Sequence, residues 1–414
     1  MNVELLTIGT ELLLGFTIDT NAAHIARALS GIGVRVVRRA TVYDRREDIR
    51  DAVREALART GVVITTGGLG PTRDDVTKRV VADLYDAPLE FDEGIWQALV
   101  ERFARMGRVA PAGNRLQAEV PRGATVLPNR WGTAPGLWLE GTPGVAILLP
   151  GVPREMRMLL EHEVAPRLAA RSGDRVIRSR MVRTSGIPES LLAERLGDIE
   201  ERVAPLTLAY LPGYDGVDLR LTAWDAVPAD ADAVLAAGIA LLRERAGDNV
   251  YGEDDADLAA VVLEAARQRR VRIAVAESCT GGLVGKRLTD TPGSSDVFVG
   301  GVIAYDNTVK LTMLEVPAEV LDAHGAVSGE VAGAMALGAA RRFGVPLAVA
   351  VTGVAGPGGG SEAKPVGTVW LATSLDGVAE ATRVLLPGSR AEIRMRAAQA
   401  ALLFALRRLI RSDG

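Results

Sequence analysis

Two doubly wound α/β domains joined by a small α+β module are the architecture this chain predicts, and three observations predict it. Apolar strand-like runs alternate with helix-period segments at both ends of the chain, the pattern of a sheet wound with crossover helices. Two of those strands run into glycine-rich turns that open helices, GGLGPTRDD at Gly67 to Asp75 and AESCTGG at Ala276 to Gly282. Between Ser172 and Asp248 the texture changes to short alternating strands, as in VDLRLTAW, with two helices. At 414 residues the chain exceeds what one compact core usually holds. The domains expected are 1–171, 172–250 and 256–414, with the acidic stretch Asp248 to Asp257 as linker.

Taken in order, Val3 to Ile8 reads as the first strand, Asn21 to Leu29 as a helix closed by Gly31 and Gly33, and Val34 to Val37 as the second strand. Ile49, Val53, Ala56 and Leu57 share one helical face. Val62 to Thr66 is a buried strand leading into the first glycine turn, and the alternation so far predicts a parallel sheet whose ligand site lies at the carboxyl ends of its strands. Val145 to Leu149 is a further strand, followed by PGVPREM, where Pro153 suits the first turn of a helix running to about Leu168. The middle module carries a helix over Ala231 to Arg245. From Ala256, helix, strand, glycine turn, helix and strand recur. Pro346 to Thr352, Gly367 to Ser374 and Ala379 to Leu385 add strands before a long helix from Arg390 to Ile410.

Lys and Arg total 48 against 52 Asp and Glu, a formal net charge of -4, which argues against nucleic acid as principal partner. The opening MNVELLTIGT lacks the basic and cleavage regions of a signal peptide, and no run of about twenty apolar residues predicts a membrane helix. A single cysteine, Cys279, excludes an intramolecular disulfide and suits a cytoplasmic location. The three histidines have no ligand spacing, so zinc is not expected.

The upstream turn has the composition of a phosphate cradle. Gly67, Gly68 and Gly70 let backbone approach a phosphate closely, and Thr72 or Asp74 can cap the next helix. Asp74 and Asp75 then stand where hard oxygen ligands can hold magnesium or a similar divalent metal against that anion. Any α/β protein can carry such a turn for structural reasons alone.

The downstream turn places Ser278 and Cys279 beside the backbone N–H groups near Thr280, Gly281 and Gly282, donors suited to an oxyanion. Serine needs a base, and Lys310, just past the strand Phe298 to Tyr305, can serve if burial lowers its pKa. Tyr305 can orient the pair or relay a proton. Each residue also has a plain structural role available: Ser278 as a helix cap, Cys279 as core filler, Lys310 as a solvated charge, and Glu277 as a helix-start carboxylate rather than a substrate ligand.

Taken together, GTELLLG at Gly9 to Gly15, DTN at Asp19 to Asn21, GGLGPTRDD, GNRLQA at Gly113 to Ala118 and PGVPREM resemble the molybdopterin-binding fold and, more closely, the amino-terminal domain of the CinA family. AESCTGG, GVIAYDNTVK, GAVSGEVA at Gly325 to Ala332, VTGVAGPGGG at Val351 to Gly360 and KPVGTVW at Lys364 to Trp370 resemble the CinA carboxy-terminal domain. The resemblance spans essentially the whole chain.

It implies a bifunctional pyridine-nucleotide salvage enzyme. The last domain would be a nicotinamide mononucleotide deamidase with Ser278 as nucleophile, Lys310 as base and Tyr305 assisting; Glu277, Thr280, Gly281, Gly282, Thr352, Gly356 and Gly358 would bind substrate. The first would be a metal-dependent ADP-ribose pyrophosphatase with Asp74 and Asp75 on the metal, and Gly67, Gly68, Gly70, Thr72, Asn21 and Asn114 on the substrate. The glycine loop Gly353 to Gly360 is placed for the ribose phosphate, with Ser328 adding a hydroxyl near the rim. The competing reading is a molybdopterin-binding or competence-related accessory protein without catalysis. RTSGIPES at Arg183 to Ser190 resembles the KH-like segment of these proteins, yet GIPE offers one glycine where a KH loop has two. A structural spacer or dimer contact is therefore preferred over RNA binding, and a homodimer is expected.

Overall fold

The computed structural model describes residues 1–173 and 175–411. They fall into two compact units, Met1–Arg178 with Ala223–Val234, and Ser179–Thr222 with Leu235–Gly414.

The first unit is built on a six-stranded sheet ordered Arg35–Val42, Asn2–Ile8, Val62–Thr66, Gly144–Leu149, Gly136–Gly141 and Thr125–Leu127. Side chains alternate along the first strand. Val3 and Leu5 pack with Ile25, Leu29 and Leu160 on one face, while Leu6 and Ile8 pack with Ile49, Val53 and Val80 on the other. Burying each such side chain contributes about 1.5–3 kcal/mol, so covering both faces is the main force holding the sheet. The first four strands are mutually parallel, which puts the ends of Ile8, Thr66 and Leu149 at one rim. The last two are antiparallel, a departure from the expected all-parallel sheet. The cause is connection length: two residues separate Gly141 from Gly144, and a parallel pair needs a crossover of roughly a dozen.

The carboxy-terminal domain repeats the logic with five strands, ordered Phe298–Ile303, Ile273–Glu277, Leu347–Gly353, Thr368–Leu375 and Val378–Leu385. The first three are parallel and the last two antiparallel, joined by Asp376 and Gly377 with φ of 51° and 80°, the left-handed pair of a tight hairpin turn. Helices Leu258–Gln268 and Arg390–Arg411 cover one face and Gly329–Phe343 the other.

The middle module is a four-stranded sheet ordered Thr207–Pro212, Val217–Ala226, Val176–Thr184 and Val250–Glu253. Its last strand lies inside the acidic stretch expected as a linker. Glu253 and Asp254 are held at 2.7 and 2.6 Å by Arg180, and the Met181 N–H donates to Asp254 at 2.9 Å. Those partners are far away in sequence, so acidic composition alone read as solvated linker.

Candidate active sites

The amino-terminal site grows from the rim of the first sheet. Val62–Thr66 ends in Gly67 and Gly68, with φ of 109° and 68°. A Cβ on Gly67 would stand 2.2 Å from the Ile8 carbonyl oxygen, and one on Gly68 2.0 Å from Thr77 Oγ1, so only glycine fits either position. The turn then closes on itself: Thr72 donates to Asp75 Oδ2 from its N–H at 2.9 Å and from its hydroxyl at 2.5 Å. Neither Thr72 nor Asp74 caps the next helix, which starts at Thr77 without a side-chain cap.

A cavity of about 380 Å³ opens here, lined by Gly67, Gly68, Gly70, Asp74 and Asp75. It gathers three further carboxylates the sequence reading missed, Glu11, Asp44 and Glu155, together with Gln117 and Thr133. Among the described residues no basic side chain lines it, and no three acidic, cysteine or histidine groups converge on one metal-sized point. With no such cluster, these carboxylates would hold a divalent cation only together with a ligand's phosphate oxygens, the usual coordination of magnesium.

Three predicted ligands stand back from this cavity. Thr72 shapes the turn. Asn21 donates to the Gly151 carbonyl at 2.7 Å and to Thr66 Oγ1 at 3.3 Å, tying the first helix to the rim, while its own buried Oδ1 has no partner. Asn114 donates to Gln117 Oε1 at 2.8 Å and so sets Gln117, whose amide reaches Thr133.

The carboxy-terminal site is a cavity of about 200 Å³ at the end of Ile273–Glu277, and it brings together Ser278, Lys310, Tyr305 and Thr352. Lys310 lies on the first turns of Asn307–Leu314, not at a strand end, and is 1% exposed. Its ammonium donates to the carbonyls of Ala304 and Tyr305 at 2.8 and 3.2 Å. Burial lowers its pKa, against the opposing pull of Asp306. Tyr305 is largely exposed and its hydroxyl accepts from Arg390 at 2.9 Å. The Cys279 thiol is pushed up to about 12, chiefly by burial, and stays protonated at neutral pH.

Several expectations are corrected here. The Glu277 carboxylate, 1% exposed, accepts the N–H groups of Gly282, Val284 and Gly285 at 2.9, 3.1 and 2.8 Å, so it closes the start of the following helix, and it lies outside the cavity lining. Gly282 N–H is thereby consumed, and Gly281 N–H donates to the Ser278 carbonyl at 3.1 Å, which removes both as oxyanion donors. Thr280 is fully buried and outside the cavity lining, its carbonyl accepting from Arg394 at 2.8 Å. Gly356 and Gly358 lie outside the cavity lining; a Cβ on Gly356 would meet Val366 at 2.7 Å, a packing reason for glycine. Ser328 caps the helix Gly329–Phe343 through Val331 N–H. Thr352 lines the cavity but gives its hydroxyl to the Ala326 carbonyl at 2.7 Å.

Two polar lining residues were missed, Asn307 and Arg390. Arg390 bridges Tyr305 and the Gly356 carbonyl, the latter at 2.7 Å. A signal existed: a cation opening a helix opposes the helix dipole, so it needs another reason to be there.

Comparison with known families gives three matches in chain order: a probable molybdopterin binding domain over residues 4–170, the damage-inducible protein CinA KH domain over 179–252, and the CinA C-terminal domain over 255–409. A CinA-like protein of Gemmatimonas aurantiaca is 54% identical across 97% of this chain and 95% of its own. A putative competence-damage inducible protein of Symbiobacterium thermophilum is 44% identical over 99% of both. Among solved structures, a competence/damage inducible protein from Agrobacterium tumefaciens is 43% identical over 36% of this chain and 93% of its own, with a TM-score of 0.35.

Proposed function

The chain belongs to the CinA family, and from that premise we propose that it is a bifunctional hydrolase of pyridine nucleotides, deamidating nicotinamide mononucleotide in its last domain and splitting ADP-ribose in its first. The observation that carries the deamidase half is that Ser278 and a buried, pKa-lowered Lys310 open on one cavity. Ser278 Oγ attacks the carboxamide carbon as the neutral Lys310 amine takes its proton. Collapse of the tetrahedral intermediate expels ammonia with the proton returned by Lys310, and water then cleaves the acyl-serine to nicotinate mononucleotide. Arg390 at the mouth is the cation for the ribose phosphate, and the cavity of about 200 Å³ takes the pyridine ring.

In the first domain, the carboxylate-lined cavity supports a metal-dependent reading. Asp74 and Asp75 would hold the divalent ion, which would neutralise the diphosphate and polarise its phosphorus–oxygen bond. Gly67, Gly68 and Gly70 bring backbone close to the phosphates. The middle module fits a spacer: its Gly186 packs where a Cβ would stand 2.7 Å from Leu403, and Gln399 donates to Ser185 Oγ and to the Asp215 carbonyl. The loop where a KH domain grips nucleic acid is thus covered by the carboxy-terminal helix. Phe16 and Ile18, 82% and 85% exposed two positions apart, are apolar surface that the expected homodimer would cover. No helix of the described residues is long and apolar enough to cross a membrane.

The test is to incubate the protein with each nucleotide, with and without chelator, and identify products. Ammonia from nicotinamide mononucleotide that resists chelation, and AMP plus ribose 5-phosphate that does not survive it, are the expected outcomes. A non-catalytic binding protein would yield neither.

A further inference from the structure

Beside the carboxylate-lined cavity lies a second one of about 620 Å³, between the helix Glu93–Arg105 and the loop from Val126 to Pro135. The two are neighbours that share a wall. Thr133 lines both, and Asn129 in the second donates to Glu155 of the first at 2.5 Å. Their chemistry is opposite. Where the charged groups of the first are all carboxylates, three guanidiniums, Arg102, Arg105 and Arg130, line the second, and among the described residues no carboxylate pairs with any of them. The one acidic residue of the lining, Asp92, is spent on capping its own helix through the Ile95 N–H at 2.9 Å. Arg102 donates to the Arg130 carbonyl at 3.2 Å, which ties helix to loop and holds the rim together. The floor is apolar, formed by Ile95, Ala98, Leu99, Val126 and Pro135.

We propose that this groove is the second half of the amino-terminal binding trough and receives the nucleoside end of a diphosphate ligand that carries an additional phosphate on its ribose. An apolar floor accepts the flat base, and unpaired guanidiniums at the rim match a phosphate dianion, the ligand class arginine binds best. The groove needs no metal for that phosphate, whereas the diphosphate, placed against the neighbouring carboxylates, does. The assignment rests on the diphosphate reading of the first cavity.

Calorimetric titration of the full-length protein with ADP-ribose and with ADP-ribose 2′-phosphate, at about 50 mM salt where screening is weak, separates the two claims. The 2′-phosphorylated ligand should bind at least tenfold more tightly. In Arg105→Gln/Arg130→Gln, whose side chains are exposed, that preference should fall to about twofold or less with the thermal midpoint unchanged, the 2′-phosphorylated ligand losing more affinity than ADP-ribose. The single variants should each lose part of it, guarding against an unfolded double variant. Equal affinities in the wild type, or a preference that survives the double substitution, overturn the proposal. If both ligands bind with the expected preference and neither is hydrolysed, the pyrophosphatase reading fails and the groove assignment stands; if neither binds, both fall.

Discussion

Ser278 and Cys279 are adjacent hydroxyl and thiol in one cavity, and the raised thiol pKa favours the hydroxyl as nucleophile. A thiol held at about 12 supplies almost no thiolate at neutral pH, while a serine needs only a base beside it. Cys279→Ala should therefore release ammonia from nicotinamide mononucleotide within about threefold of the wild-type rate, and Ser278→Ala should lose it by about 10³-fold or more. The reverse pattern in a steady-state ammonia assay would make the thiol the nucleophile. Lys310 adds a pH signature. Only its neutral form accepts a proton, and burial brings that form within reach below the ordinary 10.5. kcat/KM should climb with pH and level off above the lowered pKa; Lys310→Arg, always protonated, should lose about 10²–10⁴-fold with no such rise. The same shift bears on stability. The unfolded chain binds more protons than the native one between the lowered value and 10.5, so this group's contribution to stability increases with pH across that window and is unfavourable below it.

At the level of elements, the helix Leu283–Thr289 depends on a carboxylate from the strand before it. Glu277 satisfies three of its opening N–H groups, so the nucleophile turn is held from both sides: by Glu277 on the helix, and by Arg394 on the carbonyls of Cys279 and Thr280 at 3.1 and 2.8 Å. Glu277→Ala leaves those donors buried without partners, at a cost of about 1–3 kcal/mol. Its thermal midpoint should drop by several degrees in calorimetry and deamidation should fall with it, whereas an intact midpoint with impaired substrate binding would restore Glu277 as a ligand. This role was open in the sequence, where an acidic residue before a helix reads equally as cap or ligand. Contacts up to eight residues along the chain favour the cap, because a buried carboxylate that accepts three amides lies outside the cavity lining.

Across the whole molecule, the two cavities lie in separate compact units with unlike chemistry, one acidic and one built on a serine and an amine. Asp75→Ala should abolish ADP-ribose cleavage and leave ammonia release within about twofold, and Ser278→Ala the converse; joint loss in either variant would mean the activities share a site. How much of this was legible follows from range. Strand and helix periodicity and the glycine turns at strand ends were readable because each depends on spacing within a segment; that Ser278 and Lys310 line one cavity came from the resemblance, since Lys310 sits on a helix and not at the expected strand end. Strand direction at the sheet edges, the edge strand Val250–Glu253, and the carboxylates Glu11, Asp44 and Glu155 around one pocket were not, since each arises from segments far apart in sequence. The sequence by itself determined where backbone must bend and which side chains can react. Only tertiary structure decided which amides and carboxylates were already spent on the fold and which were left facing a cavity, because a hydrogen bond's partner is chosen by proximity in space.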